Sequence, residues 1–418
     1  MASATLACVS VLARLNRAAD GLAGDVLLYG LSAVFALVTA LTSTLLPHRA
    51  WGAVAAWGYL AAFLLAVVQL VRRRPALRMA LTWVTWGAAA LLPLLVQAVQ
   101  RAGGRTDRAQ EEVLVAEHMG ERLAHTGTPY LGPEAIGALP PGEQLLGYAP
   151  YQPGMAVFGL PRAAFGDAWI TDARIWFALV TAAALVAAVR LAGPGPVRAV
   201  QFATVLPICA LTLATGGDDL PVLALCLLAL ACCAAGRFGA AGLAVGAAAA
   251  LKLFALPVVA VLLVLAFTTG NLRRFLPGAL GLPVLALVPA FLVDGDAFVE
   301  NVIRFPLGHG IVTSPAQSPF PGYLIAQTLP GGRYVAAGLL VAAAVTIAVL
   351  LVRRPPATAA TAALFCGWGL LTAILLMPTT RFGYLLYPLA LLAWSSALVF
   401  SRPTGTTAPR SDPALYRL

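Results

Sequence analysis

Apolar runs that each approach the ~20 residues a helix needs to cross a ~30 Å hydrocarbon core recur twelve times in this chain, and nothing constrains its fold more. They fall at about 26–46, 52–71, 79–99, 174–192, 199–215, 220–235, 238–252, 253–269, 275–293, 334–352, 358–377 and 382–400. The 238–252 run is short and rich in Gly and Ala, so a tilted, closely packed or broken helix is expected there. With 60% of its 418 residues hydrophobic and 11% charged, against ~25% charged in an ordinary soluble domain, the chain has lipid as its main solvent. The expected fold class is an all-α polytopic membrane protein, a bundle of about 12 transmembrane helices over 26–400.

Charge sets the expected orientation. The net charge of +10 comes from arginines scattered between apolar runs rather than gathered in one basic stripe, which argues against nucleic acid as a partner. Short cytoplasmic loops retain Arg and Lys. A cytoplasmic N-terminal segment, 1–25, puts Arg72, Arg73, Arg74 and Arg78, then Arg190 and Arg198, Arg237, Arg273 and Arg274, and Arg353 and Arg354 at inner connections, with the 401–418 tail also inside. Within that segment the apolar stretch Thr5 to Ala13 precedes Arg14 and Arg17, the reverse of the charge order in a cleavable signal.

The outer segments are then about 100–173, 216–219, 294–333 and 378–381. They hold fourteen of the seventeen acidic residues and three of the four His, with His48 in a further outer turn. Acidic residues contribute little to insertion, so their one-sided placement marks an external working surface. Two of these loops far exceed the ~12–15 residues beyond which structureless connections become uncommon. The six cysteines, Cys8, Cys209, Cys226, Cys232, Cys233 and Cys366, lack metal or disulfide spacing and read as small core residues.

In the first long loop, EEVLVAEHMGERLAH reads as an amphipathic helix. Asp107 and Gln110 have the spacing of a capping box, and Gly127 with Pro129 supplies the stop. At ~100° per residue, Glu112 shares a face with Val115, Ala116, Met119 and Leu123. Glu117, Glu121, His118 and His125 fall opposite, with Leu114 among them, and Glu117 and Glu121 are expected to be solvated. A carboxylate on the apolar face is desolvated, which makes it a better proton acceptor when a partner keeps it ionised. Glu112 is therefore the candidate catalytic base, with Glu111 and Asp107 as fallbacks should the helix start elsewhere.

Further candidates lie at membrane edges. Tyr148, Tyr151 and Gln152, in a Pro-rich stretch leading toward a span, are either interfacial anchors or a sugar-facing loop offering rings and an amide. Asp218 and Asp219 follow two glycines and either begin a helix or hold sugar hydroxyls; no adjacent His or third acid supports a metal, and no cofactor is implied. Lys252, the single lysine, ends the run GLAVGAAAALK, where an ionisable residue is costly and reads as a phosphate contact against the alternative of a snorkelling side chain. Arg381, and Arg304 with His309, break the inside-Arg pattern and would complete an anion site with Lys252.

These residues together resemble the polyprenol-phosphate-sugar-dependent membrane mannosyltransferases of glycosyltransferase family 87, within the GT-C architecture. The resemblance covers about 105–260. It lies in an acid opening an amphipathic loop helix (Glu112 to Leu123), a Pro-Tyr turn (Gly127 to Tyr130), a Tyr-x-Pro stretch (Tyr148 to Pro153) and a Gly-rich span ending in Ala-Leu-Lys (Gly242 to Lys252). The family's acid is usually Asp, fewer spans usually precede the loop, and many relatives carry Gly-Gln-x-Asn where Asp218 and Asp219 stand. The resemblance implies a polyprenyl-phosphate sugar donor, a glycolipid or glycan acceptor, and inverting displacement with Glu112 as the one base. Lys252 and Arg381 would neutralise the leaving phosphate. A transporter or lipid flippase is the rival class, but no internal repeat of the kind common in such proteins is visible.

Overall fold

The structure, a computed structural model, describes Asn16 and residues 18–193 and 196–398. Cys8, the Thr5 to Ala13 stretch with Arg14 and Arg17, and the 401–418 tail lie outside the described residues. The expected apolar runs all fold as helices. α1 (Leu22–Thr42) and α2 (Leu46–Val71) pair as a hairpin, and α3 (Pro75–Ala102) follows as one long span. A π-bulge at Gly87–Leu91 interrupts α3. Pro93 has no N–H to offer the Ala89 carbonyl, and the buried Trp51 indole donates to that oxygen instead, at 2.8 Å.

The first long loop carries α4 (Glu111–Thr126) and several short helices before α5 (Ala173–Ala192) re-enters the bundle. Next come α6 (Val197–Thr204) and α7 (Pro207–Thr215), two apolar helices with a 41° bend between them. Pro207 opens the second half, and the Val205 carbonyl at the break accepts from the Tyr59 hydroxyl at 2.7 Å.

The remaining apolar helices are α8 (Asp219–Ala234), α9 (Phe238–Leu251), α10 (Leu253–Thr268), α11 (Leu272–Val293), α12 (Gly332–Arg353), α13 (Ala359–Leu376) and α14 (Phe382–Ala397). Among the described residues seven helices are long and apolar enough to cross a membrane, eight if the bent pair counts as one span. The other four, α8, α9, α10 and α14, are apolar but shorter, at 10–17 residues. Their neighbouring ends hold Asp218, Asp219, Lys252 and Arg381, so the short helices bring charge together where full-length spans would carry apolar turns.

Small residues set the packing. α9 crosses α11 backbone to backbone: a Cβ on Gly242 or Gly246 would stand 2.1 Å from a main-chain oxygen of α11. Lipid is as apolar as leucine, so close van der Waals approach rather than hydrophobic burial holds such helices together. Large apolar side chains face outward instead, with Leu285, Leu292 and Val352 strongly exposed.

One buried polar cluster fastens the bundle end opposite the long loops. Asp25, in the first turn of α1, bonds Arg78 at 2.5 and 2.9 Å, pairs with Arg198 at 3.1 Å and accepts from Gln201 at 3.1 Å. α1 thus begins four residues earlier than expected and takes Asp25 out of the N-terminal segment.

Candidate active site

Backbone contacts fix α4. The main-chain N–H of its N-cap, Gln110, donates to the Thr215 carbonyl at 2.9 Å, and the Thr215 hydroxyl donates to the Gln110 side-chain oxygen at 2.7 Å. The helix start is thereby docked on the end of α7. Further along, α4 rests on bare backbone at Gly159, where a Cβ would lie 2.2 Å from the Ala116 carbonyl oxygen. The expected cap is not used: Asp107 stands in a separate turn, bonded to Arg105 at 3.0 Å and paired with Arg108 at 2.5 Å.

The helix is covered on more than one side, which corrects the expectation for Glu117. That carboxylate is buried, not solvated. It accepts from both terminal nitrogens of Arg101 at 2.7 and 2.6 Å, pairs with Arg162 at 3.3 Å, and accepts the Ala173 backbone N–H at 3.2 Å. Arg101 also pairs at 3.1 Å with Asp172, which caps α5 and is bonded to the fully buried Arg174. Burial opposes ionisation of Asp172, but the Arg174 and Arg101 guanidiniums hold its carboxyl down at about 2. A helical wheel assumes one buried face; here the rest of the loop buries a second.

Glu112 is half-buried and ion-paired with Arg381. Arg381 comes from the turn between α13 and α14, far away in sequence. Its neighbours are held by the second long loop: Thr380 N–H donates to the Ala316 carbonyl at 3.0 Å, Ser318 N–H to the Thr380 carbonyl at 2.9 Å, and Phe382 N–H to the Ser318 hydroxyl at 2.8 Å. Burial disfavours the Arg381 charge, yet Glu112, with Tyr384 and Tyr151 nearby, keeps its pKa above the ordinary value. Glu111 is exposed at the helix start. Partial desolvation and the Glu112 charge push its carboxyl up, with Arg381 pulling against them.

Lys252 sits in extended backbone at the break between α9 and α10. Its ammonium donates to Asp218 at 2.8 Å and Asp219 at 2.6 Å, and the Tyr387 hydroxyl donates to the same Asp219 oxygen at 2.7 Å. The Tyr151 and Tyr384 rings lie 5.2 and 5.6 Å from the ammonium, within cation–π range. Tyr151 is fixed by the Tyr130 hydroxyl, which donates to its carbonyl at 2.8 Å, and Gln152 N–H donates to the Leu251 carbonyl at 3.1 Å. The Gln152 side-chain oxygen is buried without a partner among the described residues. No group of three or more His, Cys, Asp or Glu side chains placed to hold a metal occurs among those residues.

The sequence model of glycosyltransferase family 87 matches residues 148–379, over half of the chain. The chain belongs to glycosyltransferase family 87. With its apolar helices, that makes it a multi-pass membrane glycosyltransferase, which needs a sugar donor and an acceptor. No curated protein and no solved structure shows significant similarity to it. The family match includes Asp218, Asp219, Lys252, Tyr148, Tyr151 and Gln152, and stops short of both Glu112 and Arg381.

Three of the expected residues belong elsewhere in this family 87 chain. Tyr148 turns away from Lys252: its hydroxyl donates to Glu300 at 2.9 Å and accepts the Ile311 N–H at 2.8 Å, and its ring stacks on Phe305 at 4.1 Å. Arg304, largely exposed, pairs with Glu300 at 3.6 Å, and His309 is tied to Arg304 through backbone only. Tyr148 thus fastens the first long loop to the second, while the contacts of Arg304 and His309 stay within the second loop, which corrects the grouping of Arg304 and His309 with Lys252 as one anion site. Sequence reasoning missed Tyr384 and Tyr387, spaced i and i+3 soon after Arg381: the Tyr384 ring faces the Lys252 ammonium, and the Tyr387 hydroxyl bonds the Asp219 oxygen that the ammonium holds. It also left His48 unassigned, which lies close to the Gln110 side chain and to Glu112.

Proposed function

We propose that this family 87 protein transfers a hexose, mannose first among candidates, from a polyprenyl-phosphate donor to a hydroxyl of a glycolipid or glycan acceptor, with inversion. The observation that carries this reading is the meeting of Glu112 with Arg381 at the loop end of a family 87 bundle, beside Lys252 and its two aspartates. A carboxylate and a guanidinium side by side supply the two things the chemistry asks for, a proton acceptor and an anion ligand.

Glu112 takes the proton of the acceptor hydroxyl as that oxygen attacks the anomeric carbon. The bond from that carbon to the phosphate oxygen breaks, and its electron pair leaves with polyprenyl phosphate. Phosphate is a good leaving group, so no general acid is required. Arg381 neutralises the charge that develops on departure, and the remaining N–H of Lys252 adds to it. Asp218 and Asp219 orient Lys252 and present carboxylate oxygens to sugar hydroxyls. Gln152, with an unpartnered buried amide oxygen, is suited to a further hydroxyl. The gathering of acids and long loops at one bundle end, with basic connections at the other, supports cytoplasmic termini and an external site in the cell membrane.

The test is transfer of labelled mannose from polyprenyl phosphate in membranes carrying the protein. Glu112→Gln is expected to lower the rate on the order of 10²–10⁴-fold, the usual share of a general base. Normal transfer by Glu112→Gln, with loss in Glu111→Gln, would move the base by one residue and refute the assignment.

A further inference from the structure

The ion pair between Glu112 and Arg381 occupies both groups that the reading above needs for reaction, and the present inference rests on that reading. In an inverting displacement the base works from the face of the sugar opposite the departing group; in inverting hydrolases the two acting carboxyls stand ~6.5–9.5 Å apart. One planar guanidinium cannot stay on the carboxylate and also cover a phosphate across the sugar carbon.

The surroundings of Arg381 allow its side chain to change partners while its backbone stays put. The flanking residues Thr380 and Phe382 are bonded to 316–318, whereas 35% of the Arg381 side chain is exposed and Glu112 is its one ion-pair partner among the described residues. Lys252 has less freedom. It is buried, and two of its three N–H groups are held by carboxylates. An arriving phosphate therefore finds one cation whose partner can be displaced.

We infer that Arg381 is a donor-operated switch: it holds Glu112 in an ion pair until the phosphate of the lipid-linked sugar takes the guanidinium, and only then is the carboxylate released to accept the acceptor's proton. Binding is ordered, donor before acceptor. The product, polyprenyl phosphate, is an anion too and keeps Arg381 until it departs, whereupon the pair re-forms.

Phosphate and Glu112 then compete for one group, which a binding measurement reads without turnover. Polyprenyl monophosphate is titrated into full-length protein in nanodiscs as wild type, Glu112→Gln, Arg381→Ala and the double variant, with Glu112→Ala as a second form that cannot hydrogen-bond Arg381. Removing the carboxylate is expected to tighten binding on the order of tenfold. In the Arg381→Ala background the same change is expected to alter affinity by less than about twofold. Equal affinity in wild type, Glu112→Gln and Glu112→Ala, with wild-type transfer intact, overturns the switch and leaves the proposed function standing. A wild-type protein that neither binds polyprenyl phosphate nor transfers hexose overturns both.

Discussion

Gly159→Ala tests whether Glu112 is placed by the packing of its helix. A Cβ at residue 159 would stand 2.2 Å from the Ala116 carbonyl oxygen and 2.8 Å from Glu117 Cα, whereas ordinary contact begins near 3.4 Å. Both neighbours are backbone of a regular helix and cannot rotate aside, so α4 must retreat by about 1 Å or the 153–165 segment must, as densely packed interiors transmit such strain. Ala116 lies one turn from Glu112 on the same helix. Overpacking of this kind costs ~1–3 kcal/mol, and misplacing a reacting group by ~1 Å costs on the order of 10²-fold in rate. The expected result is a lowered melting temperature in detergent together with a large loss of hexose transfer. Gly142→Ala is the control, since an added Cβ there meets nothing within 4 Å. A Gly159→Ala protein with unchanged melting and a rate within about threefold of wild type would show that α4 does not depend on this contact.

Three further outcomes follow from the buried charges. Lys252→Met strands Asp218 and Asp219 without their cation and is expected to cost ~3–5 kcal/mol, read as a fall in melting temperature; unchanged melting would mean that the aspartates are not held by the lysine. Glu117→Ala leaves Arg101 and Arg162 short of a carboxylate and removes the acceptor for Ala173 N–H, with a loss of similar size and a displaced loop visible as new proteolytic cleavage between 103 and 172. For Asp172, a carboxyl held at about 2 rather than the ordinary 3.8 adds stability that is full above its unfolded value and disappears as pH falls through the folded one. Asp172→Asn is therefore expected to flatten stability against pH between about 4 and 2, by about 2 kcal/mol; an unchanged acid limb would refute the assignment.

The sequence alone determined the solvent and the elements. Twelve apolar runs specify helices in lipid because length and hydropathy act locally, and the runs folded as helices near their expected ends, with 199–215 broken into two. It also singled out Lys252 and Glu112, since an ionisable residue beside an apolar run, or on an apolar helical face, is visible without any partner.

What the sequence could not carry is who meets whom. Glu112 and Arg381 are brought together across most of the chain, and the lysine read as a phosphate contact is shared by Asp218 and Asp219 and flanked by the rings of Tyr151 and Tyr384. Glu117 was misjudged because a helical wheel knows one neighbour, while the loop folded back to bury the other side. Tyr148 lay three residues from Tyr151 and went to a different cluster, because the extended backbone there sends alternate side chains to opposite faces. Charge in lipid is tolerated only where it is paired, and pairing is a property of the tertiary structure.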